Sequence, residues 1–198
     1  NYALAAIGSV GVSSEDEIED DVDAAMASLI IEEVSQQIQT NSGKGLWFNK
    51  ESFHKLLPDQ TTGRVSVPQN TISCYLPKQN GKVITIALRG NVLFDPVNYG
   101  YDLRSLVNSS GVLPCTLVVV LPYAEIPTTV KQAVADFGRF WLVHNLEGDQ
   151  VKMGPLKTAA EASLISVKSE DATQRRRSMF DNPSIANAVQ QIGGYNNN

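Results

Sequence analysis

The sequence predicts an α+β protein: a helical bundle with an inserted antiparallel β domain and an extended C-terminal arm. Three observations lead there. Helix-period segments occupy the first 43 residues and the stretch from 126 to 177. Between them, 44–125 switches to short β-branched runs separated by turn signals. From 178 to 198 the chain turns polar and ends Gly-Gly-Tyr-Asn-Asn-Asn, which reads as a tail. We treat the 198 residues as one chain with these three parts.

Tyr2 to Ile7 is helix-compatible and stops at Gly8. The first residue is not Met, and Tyr2 already looks like the end of a helix, so residues are expected upstream. Ser14 to about Thr40 reads as one long helix. Ser14 with Glu17 resembles a capping box, and acids in the first turn suit the positive end of the helix dipole. Ile18, Val22, Ala25 and Leu29 share a face, while Met26, Ile30, Val34 and Ile38 continue in steps of four. The stripe therefore drifts, which predicts two packing partners. Gly43 and Gly45 are the stop residues, and Trp47-Phe48 follow as an aromatic pair expected in the core.

In the β part, Arg64–Val67 alternates and Ile72–Leu76 is strand-like. Gln79-Asn80-Gly81-Lys82 is a hairpin signal, followed by Val83–Leu88 and Val92–Asp95. Pro96 to Gly111 reads as a long loop, and Cys115–Leu121 is the strongest strand. Pro127 opens a second helix with Val130, Val134, Phe137 and Trp141 on one face and Gly148 at its end. After Gly154-Pro155 a third helix places Leu156, Ala160, Ser163 and Val167 on one side. Its small residues permit close approach of another helix.

Charge is distributed unevenly. Residues 1–43 hold nine acids and no Lys or Arg, a formal −9, whereas the other 155 residues sum to +4. Such a run is a solvated face, a wall set against something negative, or a surface for a basic partner. The only basic run is Arg175-Arg176-Arg177, too short in an acidic chain for a nucleic-acid groove. No apolar run approaches the roughly 20 residues that span a bilayer, and no signal peptide is visible. Cys74 and Cys115 have neither zinc nor redox spacing; they read as buried free thiols in a reducing compartment.

Catalytic patterns are missing from the sequence. It has no Walker phosphate loop, no G-x-S-x-G elbow and no H-E-x-x-H. His54 and His144 are far apart in the chain and read as structural. Asp59, Asp95 and Asp102 sit beside turn signals, where Asp binds its own backbone. No metal, cofactor or acid/base site is expected.

The order of motifs resembles the tail tubular protein A family of short-tailed phages, ring-forming adaptors between portal and tail nozzle. The residues that carry the resemblance begin with Leu4-Ala5-Ala6-Ile7-Gly8, Val12-Ser13-Ser14, Asp21-Val22 and Ala25. Trp47-Phe48-Asn49-x-Glu51 and Leu57-Pro58-Asp59 follow, then Gly63-x-Val65-x-Val67-Pro68-x-Asn70 and Arg89-Gly90-x-x-Leu93-Phe94-Asp95. Leu121-Pro122, Ile126-Pro127 and Ser178-Met179-Phe180-Asp181-Asn182 complete the set. Gly11 stands where the family commonly has Pro, and the linker Asn41–Leu46 and the loop Pro96–Gly111 are long. These departures fall in connections.

The resemblance implies a virion protein without cofactor, assembled in the host cytoplasm and located at the head-to-tail interface. It implies a homo-oligomeric ring of twelve subunits, in contact with portal and nozzle proteins. Genomic DNA passes through its lumen unbound, and no membrane is involved. Under it, Glu15, Asp16, Glu17, Glu19, Asp20, Asp21 and Asp23 are expected to line the channel or meet a basic surface of a neighbouring ring. Arg175, Arg176, Arg177, Met179 and Phe180 are expected to begin an arm over residues 178–198 that lies on the portal or the next subunit. Two alternatives stand beside it: a tail protein that hydrolyses polysaccharide with an Asp/Glu pair, and a neck or tail-completion protein of another phage type.

Overall fold

The computed structural model describes residues 1–14, 16–78 and 81–180, without the side chains of 176–180. Among these residues the order is a 3₁₀ turn (Leu4–Ile7), α1 (Glu17–Asp20) and α2 (Val22–Thr40). Strands β1 (Lys50–Leu56), β2 (Thr71–Tyr75), β3 (Ala87–Arg89), β4 (Val92–Phe94) and β5 (Leu113–Val119) follow. Helices α3 (Thr128–Leu146) and α4 (Gln150–Phe180) close the series. The α+β class with an antiparallel β insertion is therefore correct. The chain forms two compact units, Asn1–Val34 with the segment from Pro127 onward, and Ser35–Ile126; the boundary falls inside α2.

The single N-terminal helix expected over 14–40 is interrupted. Asp21 adopts an extended conformation (φ −108°, ψ 117°) between α1 and α2. Its carboxylate accepts the Ala24 N–H at 2.9 Å and its carbonyl accepts the Ala25 N–H at 2.8 Å. Asp21 is thus the N-cap of a new helix: a side chain that can satisfy orphan donors restarts the helix where continuing it would leave them covered. The expected capping box is also displaced, because Glu17 reaches back to the Ser13 N–H at 2.7 Å. Of the drifting stripe, α2 buries Ile30 and Val34, while Val22, Met26 and Leu29 stay exposed; Ala24 and Ala27, outside the stripe, are buried with them.

The rest of the helical unit is built on close contacts. Gly138, in the middle of α3, would bring a Cβ to 3.2 Å from Ile31 Cγ1, so its helix cost is offset by close approach of α2. Val130, Ala133, Val134 and Leu142 on α3 and Ala160 and Val167 on α4 are fully buried. The hydroxyl of Thr129 donates to Glu170 across the α3–α4 pair. Arg139 stacks over the Tyr2 ring at 4.3 Å and donates to its hydroxyl at 2.7 Å, fixing the N-terminal segment to α3. Trp141, expected on the buried face of α3, is instead exposed and stacks on His144 at 5.4 Å.

Helix α4 begins before Pro155 rather than after it. Asp149 supplies the cap, accepting the Val151 N–H at 2.9 Å. Pro155 then removes one internal bond, at a point where the carbonyl left over, that of Val151, belongs to an exposed residue. The expected face Leu156, Ala160, Ser163, Val167 is the one turned inward. The helix runs to Phe180, so residues 178–180 are helical and not the start of an extended arm; residues 181–198 lie outside the described residues.

In the β unit β5 is central, in the order β1-β5-β2, with both neighbours antiparallel. Its buried Leu113, Cys115 and Leu117 face a core completed by Leu56, Val65, Leu93 and Leu103. Strand β1 was not separately identified in the sequence. Its residues are mostly exposed, and it carries a bulge between Glu51 and His54 where Phe53 sits at φ 60°. Arg64–Val67 keeps its alternation, with Val65 and Val67 buried, but forms only one bridge, Ser66 to Val92. Of the expected strand 83–88 only its end enters β3, which pairs with β4 through a two-residue turn at Gly90 (φ 61°). The expected Gln79–Lys82 hairpin falls partly on residues outside the described ones.

Candidate functional site

Three groups of side chains could carry the function: the acidic N-terminal helices, the arginines at the end of α4, and a buried polar junction in the β unit.

In the acidic group, Asp16, Glu19 and Asp20 are exposed, and Asp23 is half-buried in the first turn of α2. Glu17 and Asp21 are already occupied by local capping, as described above. Glu15 lies outside the described residues. The expectation treated all seven acids alike; capping separates them, and Asp16, Glu19, Asp20 and Asp23 remain as the surface group.

Arg175 is exposed and bonded through Nε to Asp171 Oδ1 at 2.9 Å, one turn back on α4. The backbones of Arg176, Arg177, Met179 and Phe180 continue the same helix. Three cations in the last two turns suit the negative end of the helix dipole, which explains their place on the helix without naming a partner.

The junction was not legible from the sequence. Gln39 and Asn49 are both fully buried. Asn49 Nδ2 donates to the Gln39 carbonyl at 3.0 Å and to the Val119 carbonyl at 2.9 Å, while its Oδ1 accepts the Leu46 N–H at 2.7 Å. Gln39 grips the Leu121 backbone from both sides, donating to its carbonyl at 2.9 Å and accepting its N–H at 2.8 Å. Two amides thereby join the end of α2, the entry to β1 and the exit of β5. Between them Asn41, Ser42, Gly43 and Gly45 all have positive φ, and the Ser73 hydroxyl donates to the Gly43 carbonyl at 2.6 Å. Gly45 cannot be replaced freely, because a Cβ there would lie 2.6 Å from Val118 Cγ1. The expected stop at Gly43 and Gly45 is correct. The expected aromatic core is not: Leu46 is buried, whereas Trp47 and Phe48 are only half-buried, edge to face at 5.2 Å.

The remaining polar groups have local tasks. Asp59 accepts from the Thr62 hydroxyl and the Thr61 and Thr62 N–H groups, which hold its carboxyl below the usual range. Asp95 is partly desolvated, but N–H groups of Asn98 and Val97 outweigh that and lower it. The Arg104 fork lowers Asp102 to about 2. Contact with Cys115, then burial, pushes the Cys74 thiol up; both cysteines are free and buried, as the spacing predicts. His54 pairs with Glu51 at 3.1 Å. Among the described residues no group of His, Cys, Asp or Glu could hold a metal ion, and no helix is long and apolar enough to cross a membrane.

A tail tubular protein family model matches residues 1–184. The chain belongs to the tail tubular protein family. The resemblance read from the ordered motifs is therefore correct, and the family implies a structural component of a phage tail, which assembles with other virion proteins. No match was found among curated proteins. In a tail tubular protein the buried Gln39–Asn49 junction is a device of the fold.

Proposed function

We propose that this tail tubular protein is the adaptor between portal and tail nozzle, a ring of twelve copies through which genomic DNA leaves the head. It has no enzymatic role. The observation that carries the reading is the separation of charge within a family member: nine acids and no base in 1–43, with Asp16, Glu19 and Asp20 exposed on the surface. A duplex carries a negative charge every ~1.7 Å of axis, so an acidic wall keeps it from adhering during passage. Glu15, Glu17, Asp21 and Asp23 add to that field even where they also cap helices. Arg175, Arg176 and Arg177, with Met179 and Phe180 after them, face the portal or the next subunit at the end of α4. Arginine forks there suit acidic side chains.

Replacing Asp16, Glu19, Asp20 and Asp23 by Asn or Gln tests the wall. The chain keeps its fold and ring, and phage carrying it eject DNA slowly. Normal infectivity would sink the channel assignment. Deleting 181–198 tests the arm: a folded protein that docks poorly on portal-bearing heads is the expected result. Docking at the affinity of the intact chain would remove the arm from the mechanism.

A further inference from the structure

Helix α2 carries a second apolar stripe that the fold does not use. Val22 and Leu29 are 79% and 68% exposed, and Met26 lies between them at 36%. Positions 22, 26 and 29 follow helical spacing, so they form one exposed ridge, alongside the buried line of Ile30 and Val34. Glu32 and Glu33 border it; no cation occurs on this helix. A ridge of large apolar side chains on a helix that is otherwise acidic marks an interaction surface.

Helix α4 has a face of complementary character. Val151, Thr158, Ile165 and Ala172 recur every seven residues on the side opposite the buried Ala160 and Val167, with Ala162 beside them. All are exposed, Ile165 at 67%. Small residues around one isoleucine leave a shallow groove that a ridge of Val, Met and Leu can fill. Exposed Lys157 and Lys168 flank this groove on one side; Glu161, 3.9 Å from Lys157, is the one acid among them.

We propose that the α2 ridge of one copy packs on the outer face of α4 of the next, as the lateral contact of the assembled ring. This rests on the ring reading and deepens it. The two faces are different surfaces, so the contact is heterologous and repeats around a closed ring; a two-fold dimer would instead set α2 against α2. Acids bordering the ridge meet Lys157 and Lys168, whereas pairing α2 with α2 would set acids against acids. The occupant is therefore a second copy of this chain rather than nucleic acid, which the acids repel.

Cross-linking in phage particles tests this directly. Leu29→Cys is combined in turn with Ala162→Cys, Ile165→Cys and Ala172→Cys, and particles are treated with a mild oxidant. A disulfide requires Cα atoms within about 7 Å, so three partners sample the register. Cys74 and Cys115 are buried and serve as the background in the unmodified chain. A ladder of covalent multimers from at least one double variant, and none from the single variants, is the expected result. Dimers from Leu29→Cys alone would overturn the proposal in favour of an α2–α2 contact. A ring without any ladder would overturn this surface and leave the adaptor reading standing; one copy per particle would end both. Leu29→Asp and Ile165→Asp provide the second measurement, each with an exposed side chain and so a helical content unchanged by circular dichroism. Each should lower incorporation into particles by about tenfold, the effect of disabling one central anchor. Incorporation at the level of the unmodified chain would overturn the contact.

Discussion

Asn49→Ala is the most severe test of the junction. The substitution removes three hydrogen bonds at once: to the Gln39 carbonyl, the Val119 carbonyl and the Leu46 N–H. Each buried backbone group left alone costs about 1–3 kcal/mol. The vacated space can admit one water, which recovers part of this, so the expected loss is about 3–5 kcal/mol. At about 2–4 °C per kcal/mol for a chain of this size, the melting transition of the β unit falls by about 6–20 °C. Calorimetry measures the shift, and amide exchange locates it, because the Leu46 N–H loses its protection. Asn49→Asp separates shape from donors: it keeps the acceptor for Leu46 but turns oxygen toward two carbonyls, and it should be no better than alanine at neutral pH. A shift of less than about 2 °C in Asn49→Ala, with Leu46 still protected, would refute the assignment of the junction as a fixed point of the fold.

Three further outcomes follow from the same geometry. Leu46→Ala should cost about 2–5 kcal/mol, and Trp47→Ala less than the about 3–5 of a fully buried aromatic, because Leu46 is buried and Trp47 only half so; urea midpoints give the order. Gly63→Ala should destabilise by about 1–2 kcal/mol, because Gly63 has φ 70° and a Cβ would lie 2.0 Å from Asp102 Oδ1, displacing the Arg104 fork. Thermal melts measure this. The Asp102 carboxyl, held at about 2, is lower folded than its ordinary value of about 3.9 unfolded. Its contribution is therefore present above about pH 4 and lost as the pH falls toward 2. Carbon-detected titration should show that low value, and Asp102→Asn should remove this part of the acid sensitivity.

What the sequence revealed and what it hid divide along physical lines. Period and punctuation are local, so Gly8, Gly43, Gly45 and Gly148 were found as stops, and each has positive φ in the structure. The buried face of α4 was legible from Leu156, Ala160, Ser163 and Val167, which recur at helical spacing without a charge. The break at Asp21 was hidden, because an acid between two helical runs looks the same on a face as in a cap. Trp141 was placed inside by its spacing from Val130, Val134 and Phe137; its exposure depends on how α3 meets its neighbours, which period alone does not state. Gln39 and Asn49 were hidden for a related reason. A buried amide looks polar in sequence, and only the carbonyls brought to it by residues 119 and 121 make it satisfied. The surface acids were visible from composition, but which of them were already committed to capping was not.

The position of β5 has a consequence for the order in which the molecule is made. The strand that unites the sheet is the last of its strands to leave a ribosome, and β1 and β2 have no partner until it arrives. Once Ile126 has emerged, the whole of Ser35–Ile126 is available and can close as a contiguous piece. Asn1–Val34 cannot, because the helices it packs against begin only at Pro127. The most acidic part of the chain is therefore also the part that waits longest for its partners. Self-repulsion among nine carboxylates keeps nascent copies apart through that interval, so this charge guards an unfinished chain against premature association.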